Sequence, residues 1–203
     1  DIVLINSCTV TNGADSGLKT YINSLKKNNI KVILTGCAAV SKGKELLDNG
    51  AIFGVLGASN KAKINEFLKE KKRFYELGNL NFIDKDIVKD YENHTKAFVK
   101  IQEGCDFNCS YCIIPSVRGR SRSVKESDLL EQIKILIQNG YTEIVLTGTN
   151  IGSYGLKDGT TLGKLLQKMM QISGLKRIRL GSLEPAQIDE SFMEILDEKL
   201  LER

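Results

Sequence analysis

The feature that most constrains this chain is a regular alternation of short apolar runs with amphipathic stretches at helical spacing. In the first third of the chain, the predicted strands are Asp1–Asn6, Lys31–Thr35 and Ile52–Leu56. The predicted helices are Ala14–Lys27, Lys42–Asn49 and Asn60–Lys72, the last with Ser59 as its N-cap. Because strands that alternate with helices pair in parallel and carry the helices on their faces, we expect an α/β fold with an open parallel sheet, Rossmann- or flavodoxin-like.

The same alternation returns in the second half of the chain. The predicted strands are Ala97–Ile101, Glu143–Thr147 and Arg177–Leu180. The predicted helices run from a capping box at Ser123–Glu126 to about Asn139, from Leu162 to Ile172, and onward from about Asp189. Gly140 suits the position just beyond the first of these helices. Repeated βα units of this kind build either a barrel or an open sheet, and periodicity alone does not separate the two.

Weak periodicity between the two regions indicates a linker. We therefore expect an amino-terminal α/β domain over 1–76, a linker over 77–95 and a second α/β domain over 96–203. The chain has 203 residues, of which 41% are hydrophobic and 27% charged, with a net charge of +4. No apolar run approaches the roughly 18–20 residues that span a bilayer, and the mild positive charge is compatible with a nucleic-acid partner. The sequence has no G-x-G-x-x-G or phosphate-loop lysine motif to support a dehydrogenase or an ATPase.

Three of the five cysteines lie within eight positions, at Cys105, Cys109 and Cys112, in the spacing C-x-x-x-C-x-x-C. Soft thiolates at this density indicate zinc, copper or an iron–sulfur cluster in a reducing compartment. A closed zinc site takes four ligands, and no fourth Cys or His follows nearby. Three thiolates on a four-iron cluster leave one iron open for another molecule. The spacing leaves three interpretations: a cluster with an open iron, a zinc site, or unrelated thiols.

The other two cysteines follow predicted strands directly. Cys8 comes after the first strand and Cys37 after the second. In an open parallel sheet, ligands bind beyond the carboxyl ends of the strands, so both thiols would face one crevice if the strands are neighbours. The alternative is that each is a small buried apolar side chain, as most free cysteines are.

The cysteine-rich loop resembles a known family. C-x-x-x-C-x-aromatic-C, with Tyr111 as the aromatic residue, is similar to the signature of radical S-adenosylmethionine enzymes. The longer string GCDFNCSYCIIPSVRGRSRS resembles the methylthiotransferases within that group. The resemblance implies a [4Fe–4S] cluster on Cys105, Cys109 and Cys112, whose open iron is chelated by S-adenosylmethionine. It also implies that 96–203 is part of a (β/α)₆ partial barrel.

The resemblance extends to the first domain. NSCTVT around Cys8 and TGC at Cys37 are similar to two of the three cysteine motifs that hold a second [4Fe–4S] cluster in methylthiotransferases. The first motif has no counterpart here, and the chain opens on a strand-like run without Met. We therefore expect a fragment that lacks both ends, with an incomplete second site and about half of the barrel.

Further site residues are implied by the loops after the predicted strands. By resemblance, Gly148 and Asn150 lie where the family contacts the methionyl amine, and Ser182 and Glu184 lie near the cofactor; ordinary turn chemistry is the alternative. Three arginines alternate with small residues after the cysteines, at Arg118, Arg120 and Arg122. A strand-like spacing would put them on one side, where they could hold phosphates or a carboxylate.

The resemblance implies a cytoplasmic enzyme that adds a methylthio group to a tRNA adenosine beside the anticodon. In this mechanism S-adenosylmethionine is cleaved to a radical that removes a substrate hydrogen, the second cluster supplies sulfur, and a second S-adenosylmethionine supplies the methyl group. The expected partners are tRNA and an electron donor such as flavodoxin or ferredoxin. The motifs look most like the branch acting on N6-threonylcarbamoyladenosine. The alternatives are isopentenyl-adenosine tRNA, a ribosomal-protein aspartate, another radical subfamily without a role for Cys8 and Cys37, and a zinc-dependent nucleic-acid-binding module.

Overall fold

A computed structural model describes residues 1–69, 72–83, 88–91, 94–196 and, for the backbone only, 201–202. The chain divides into two compact units. The first comprises Asp1–Asp84 and Phe107–Gly119, and the second comprises Lys85–Asp106 and Arg120–Arg203. The units therefore do not follow the linear order of the sequence, because the segment after Asp106 packs with the first unit and the chain then returns to the second.

The first unit is a four-stranded parallel sheet with helices between the strands. Its elements are β1 (Ile2–Asn6), α1 (Asn12–Lys27), β2 (Lys31–Thr35), α2 (Cys37–Ser41), α3 (Gly43–Asp48), β3 (Gly54–Leu56), a 3-10 helix (Ala58–Lys63), α4 (Ile64–Lys69), β4 (Phe74–Glu76) and, from the later segment, α5 (Ile114–Arg118). The strand order is β1-β2-β3-β4, and every pair is parallel. The predicted open parallel sheet is confirmed.

The core of this unit lies where α1 covers the sheet. Leu18, Ile22 and Leu25 recur on one face of α1 and are buried in a cluster that includes Val32 and Leu34 of β2. β2 is buried along almost its whole length because it is a central strand between two parallel neighbours. β1 forms one edge of the sheet and alternates exposed with half-buried side chains.

Three elements of the first unit were not predicted, and one cap was predicted wrongly. The short elements α2, β4 and α5 are too brief to show a periodicity of their own. Ser59 is not an N-cap, because it lies inside the 3-10 helix that begins at Ala58. Its Oγ instead accepts a hydrogen bond from Asn79 N at 2.8 Å.

The second unit repeats the βα alternation around a second sheet. Its elements are β5 (Ala97–Glu103), β6 (Arg122–Ser123), α6 (Glu126–Gln138), β7 (Glu143–Gly148), a 3-10 helix (Ile151–Ser153), α7 (Leu162–Met170), β8 (Arg177–Leu180), a 3-10 helix (Pro185–Gln187), α8 (Glu190–Met193) and β9 (Leu201–Glu202). The order is β6-β5-β7-β8-β9, in which β5, β7, β8 and β9 are parallel and β6 pairs antiparallel with β5.

The predicted capping box of α6 is wrong. The N-cap is Lys125, which makes no side-chain cap hydrogen bond, and α6 begins at Glu126. Ser123 belongs to β6, where it pairs with Gln102, and its Oγ accepts a hydrogen bond from Gly155 N at 2.8 Å. Strand pairing has therefore taken the residue that the local pattern assigned to the helix. The predicted end of α6 is confirmed, since Gly140 has φ +95° just beyond the C-cap.

Parts of three predictions lie outside the described residues. These are positions 70–71 of the predicted third helix, 84–87 and 92–93 of the predicted linker, and 197–200 of the predicted last helix. The domain limits 1–76 and 96–203 stay predictions. Within the described part of the chain, no helix combines the length and apolarity needed to cross a membrane.

The connection between β2 and α2 requires glycine at position 36. Gly36 has φ +85°, and a Cβ added there would lie 2.6 Å from both Asn6 Oδ1 and Ser7 O. The left-handed backbone and the close approach of the β1 loop both exclude a side chain. This glycine therefore fixes the backbone that leads directly into Cys37.

We expect Gly36→Ala to lower the free energy of unfolding by about 2–6 kcal/mol, because strain and overpacking each cost about 1–3 kcal/mol. Gly17→Ala is the matched control, since an added Cβ at that position of α1 meets nothing within 4 Å. It should raise the free energy of unfolding by about 0.5–1 kcal/mol. Urea unfolding followed by circular dichroism measures both, and equal stability of the two variants would contradict the account of Gly36.

Candidate functional site

The three clustered cysteines lie on the loop that leaves β5. Cys105 follows Gly104, which has φ +76°, and Cys112 N donates a hydrogen bond to Cys109 O at 3.0 Å, closing a turn. Cys109 is exposed, Cys105 and Cys112 are half-buried, and none is in a disulfide. Cys105 belongs to the second unit, whereas Cys109 and Cys112 belong to the first. Tyr111, between them, is 90% exposed.

The start of this loop is held by a buried glutamine. Gln102 is 0% exposed, and its Nε2 donates to Gly104 O at 2.7 Å and to Ser121 Oγ at 3.1 Å. Its Oε1 accepts from Asn150 N at 2.9 Å. One side chain therefore joins the backbone just before Cys105 to the loop after β7. Buried networks that are satisfied in this way rigidify the loops they join.

The residue after Cys105 is held from the other side. Asp106 Oδ2 lies 2.7 Å from Lys157 Nζ, and Asp106 Oδ1 accepts from Ser121 N at 3.2 Å. The hydrogen bond from Lys157, helped by Ser121 N and the Arg120 guanidinium, holds the pKa of Asp106 below its usual value. Cys105 is thus bracketed by Gln102 and Asp106, both anchored within the second unit. No sequence pattern assigned a role to either residue.

Four residues that the resemblance implied lie at the carboxyl edge of the second sheet. Gly148 ends β7, and Asn150 follows it. Asn150 is 6% exposed, and its Oδ1 has no hydrogen-bond partner among the described residues. Ser182 and Glu184 follow β8 and are exposed; Ser182 has φ +41°, and its carbonyl accepts from Ile151 N at 3.3 Å. The loops after β7 and β8 therefore touch.

Cys8 and Cys37 lie at the carboxyl edge of the first sheet. β1 and β2 are parallel neighbours, with Asn6 opposite Thr35. The condition under which the two thiols would face one crevice, that their strands are neighbours, is therefore met. Ala38 N donates to Ser7 O at 3.2 Å, so the peptides next to the two cysteines are hydrogen-bonded to each other. Cys8 is exposed, whereas Cys37 is 6% exposed at the start of α2.

The three arginines do not share one side of a strand, so that prediction is wrong. Arg118 ends α5, Arg120 lies in a loop and Arg122 lies in β6. Arg120 NH1 lies 3.8 Å from Asp106 Oδ1, and Arg122 NH2 lies 3.4 Å from Glu103 Oε2. Arg118 Nε donates to Cys37 Sγ at 3.1 Å. The chain turns at Gly119, which has φ +74°, and this turn breaks the strand-like spacing.

The cysteine thiols are ligands of the chemical type that an iron–sulfur cluster takes. Within the described ranges, no three Cys, His, Asp or Glu side chains are grouped so that they could hold one metal ion. A four-iron cluster poses a different requirement, because each thiolate binds its own iron and the sulfur atoms stand further apart than the ligands of one zinc. Soft thiols are the ligands that such clusters take. The unpartnered Asn150 Oδ1 is an acceptor suited to a cationic amine.

A second unpartnered atom lies in the first unit. Thr35 is 2% exposed, and its Oγ1 has no hydrogen-bond partner among the described residues. It ends β2, two positions before Cys37. No sequence signal singled out Thr35, and the hydrophobic run around Gln102 likewise hid that residue. Asp106 could have been found from the sequence, because it directly follows Cys105.

Two family models match separate parts of the chain. The model described as the radical SAM superfamily matches residues 99–198, which contain the three clustered cysteines. The model described as uncharacterized protein family UPF0004 matches residues 1–57, which contain Cys8 and Cys37. Both cysteine sets therefore lie in regions that match known families.

Several curated proteins are similar over nearly the whole of this chain. A protein of Helicobacter pylori named "Putative methylthiotransferase" is 52% identical over 205 residues, covering 100% of this chain and 49% of that protein. The threonylcarbamoyladenosine tRNA methylthiotransferase MtaB of Aquifex aeolicus is 33% identical, covering 97% and 50%. The tRNA-2-methylthio-N(6)-dimethylallyladenosine synthase of Campylobacter hominis is 34% identical, covering 96% and 48%. The chain spans about half the length of the curated relatives it matches.

A solved structure shares the fold. The radical S-adenosylmethionine methyltransferase TsrM of Kitasatospora setae, solved with cobalamin and a [4Fe–4S] cluster, superposes with a TM-score of 0.68 at 14% identity, covering 98% of this chain and 48% of TsrM. The likeness extends across both sheets and supports the predicted fold class. The two family models and the methylthiotransferases that match along nearly its whole length show that this chain carries radical SAM and UPF0004 domains and has methylthiotransferases as homologues.

Proposed function

We propose that the protein to which this chain belongs transfers a methylthio group to carbon 2 of a tRNA adenosine beside the anticodon. The observation that carries the proposal is the cysteine loop at the carboxyl end of β5, a strand whose Gln102 binds the backbone of Asn150, the residue with the unpartnered Oδ1. The similarity to tRNA methylthiotransferases supports tRNA as the substrate. In the net change, a carbon–hydrogen bond of the adenosine is replaced by a carbon–sulfur bond.

In this proposal Cys105, Cys109 and Cys112 hold one [4Fe–4S] cluster. When bound, the clusters and S-adenosylmethionine would supply the electron, the abstraction of hydrogen, the sulfur and the methyl group, with flavodoxin or ferredoxin as the electron donor. The task of the protein is to fix the thiols. Gln102 and Asp106 do this on either side of Cys105, because their hydrogen bonds are made before any cofactor arrives.

The loops after β7 and β8 are the proposed binding surface for S-adenosylmethionine. Asn150 Oδ1 would accept a hydrogen bond from the methionyl ammonium, which would remove the cost of an unpaired buried acceptor. Gly148 has no space for a side chain, since an added Cβ would lie 2.9 Å from Gln102 O. Tyr111, Ser182 and Glu184 are exposed, so they are available to a bound molecule.

Cys8 and Cys37 are proposed as two ligands of a second [4Fe–4S] cluster that donates sulfur. Their support is that both end parallel neighbouring strands and that adjacent peptides are hydrogen-bonded. Thr35 Oγ1 adds an unpartnered polar atom at the same edge. The substrate proposed is N6-threonylcarbamoyladenosine, and Arg120 and Arg122 are proposed contacts for phosphate. The alternative substrates are tRNA that carries dimethylallyladenosine and an aspartate of a ribosomal protein, and the third test below distinguishes them.

The first test concerns the clustered cysteines. Replacing Cys105, Cys109 or Cys112 by Ser in the full-length protein should remove about four iron atoms per protein, because each thiolate binds one corner of the cluster. Iron, sulfide and zinc analysis after anaerobic reconstitution, with a visible spectrum before and after dithionite, measures this. Ser116→Ala, in the same segment and exposed, should keep the full iron content. Zinc without iron in the parent protein would establish the zinc-binding module instead.

The second test separates the two cysteine sets. In the full-length protein, Cys8→Ser and Cys37→Ser should stop methylthiolation while S-adenosylmethionine is still cleaved to 5′-deoxyadenosine, because the clustered cysteines are untouched. Mass spectrometry of digested tRNA and chromatography of the nucleosides give the two readouts. Ser16→Ala, exposed on α1, is the control and should retain both activities. Methylthiolation that survives in both cysteine variants would remove the sulfur-donor role.

The third test concerns the substrate. Full-length protein should methylthiolate tRNA that carries N6-threonylcarbamoyladenosine and leave tRNA that carries dimethylallyladenosine unchanged. Mass spectrometry of the nucleosides and of intact ribosomal proteins from the same reactions reads all three possibilities. A product on dimethylallyladenosine or on a protein aspartate would overturn the substrate and leave the chemistry in place.

A further inference from the structure

The contact between Arg118 and Cys37 joins two parts of the sequence that the motifs treat separately. Arg118 Nε donates to Cys37 Sγ at 3.1 Å, although the residues are 81 positions apart. Both lie in the first unit, where α5, which follows Cys112, packs against α2, which begins at Cys37. The last residue of α5 therefore reaches a thiol of the other cysteine set.

The backbone around Arg118 is fixed. Val117 is 5% exposed and anchors α5 in the first unit. Gly119 follows with φ +74°, and a Cβ added there would lie 3.0 Å from Leu80 O. A helix end that is held on both sides limits where its final side chain can point. The backbone that carries the Arg118 side chain is thus held at Val117 and Gly119, in the position from which Nε donates to Cys37 Sγ.

Cys8 and Cys37 differ in the groups that donate hydrogen bonds to their sulfur atoms. Cys8 Sγ accepts from Val10 N at 3.3 Å, a backbone group two residues away on an exposed loop. Cys37 is 6% exposed and accepts from a charged side chain. Hydrogen bonds from charged donors are stronger than those from neutral donors. Only the donor to Cys37 can be removed by changing a side chain.

We propose that Arg118 is a positioning residue for the second iron–sulfur site. It holds Cys37 Sγ in one orientation for the metal and places a positive charge and an N–H donor beside that sulfur. Hydrogen bonds to ligand sulfur and nearby charge set the reduction potential of such clusters. Since a positive charge favours the added electron, Arg118 raises the potential of the second cluster. This inference rests on the proposed function, because it requires a cluster on Cys8 and Cys37.

This assignment revises the role of Arg118. The sequence placed it with Arg120 and Arg122 as a contact for phosphate or carboxylate. The other two bond within the second unit, near Asp106 and Glu103. Arg118 turns to a sulfur in the first unit, so its Nε donor is used inside the protein.

The experiment uses full-length protein in which Cys105, Cys109 and Cys112 are all replaced by Ala, so that only the second cluster remains. Its midpoint potential is measured by redox titration followed by electron paramagnetic resonance, in this parent and with Arg118→Gln or Arg118→Lys added. Arg118→Gln should shift the potential to a more negative value. Arg118→Lys keeps the charge without the Nε donor and should give an intermediate shift.

Lys42→Gln is the matched control. It removes one positive charge at the other end of α2, at the C-cap rather than beside Cys37. Its potential should equal that of the parent within error. A potential does not depend on the fraction of protein that carries the cluster, so a variant with lower iron content still gives a usable value. Thermal melting of each variant reports separately on the fold.

A negative shift in Arg118→Gln, or loss of the second cluster at an unchanged melting temperature, supports the positioning role. An unchanged potential in Arg118→Gln, or the same shift in Lys42→Gln, overturns it while the proposed function stands. Loss of the cluster together with a large fall in melting temperature in both Arg118 variants makes the residue structural and also overturns it. If the parent takes up no cluster, the second site of the proposed function fails, and Arg118 with it.

Discussion

Parallel strand pairing is the constraint on which the rest of this structure depends. Parallel neighbours end at the same edge of a sheet, so each βα unit delivers its loop to one side. In the first unit this brings the ends of β1 and β2 side by side, with Cys8 and Cys37 just beyond them. In the second unit it brings the end of β5, which leads to Cys105, beside the end of β7, and the end of β7 beside that of β8. Two candidate sites therefore follow from one rule of sheet topology.

Buried polar groups at these edges divide into satisfied and unsatisfied ones. Gln102 is fully buried and makes hydrogen bonds with both its amide nitrogen and its oxygen, which ties loops together before any cofactor binds. Asn150 Oδ1 and Thr35 Oγ1 are buried without a partner among the described residues. Buried acceptors without partners are costly. Both atoms lie at the carboxyl edge of a sheet, where ligands bind, so a bound molecule could supply the missing hydrogen bonds.

Local patterns predicted the long elements well and failed where one residue had two possible partners. The strands Lys31–Thr35 and Arg177–Leu180 were predicted to the residue. The first is a buried apolar run, and the second alternates arginine with apolar residues, which is the period of a strand. Ser123 fitted a capping box, but pairing between β6 and β5 and the Gly155 amide took it instead. Ser59 likewise fitted an N-cap position, but its Oγ accepts a hydrogen bond from Asn79 N. In both cases the local sequence allowed a helix cap, but the serine hydroxyl instead accepts a hydrogen bond from a residue distant in sequence.

The sequence by itself determined the βα alternation, the three thiols of one loop and the two thiols that follow strands, because each depends on spacing along a covalent chain. Tertiary structure alone decided which residues support those thiols. Gln102 looks like one more position in a strand, and Arg118 looks like one of three equivalent arginines. Their partners, Asn150 and Cys37, are 48 and 81 positions away. A contact of that range depends on how helices and strands pack, and no local pattern of residues encodes it.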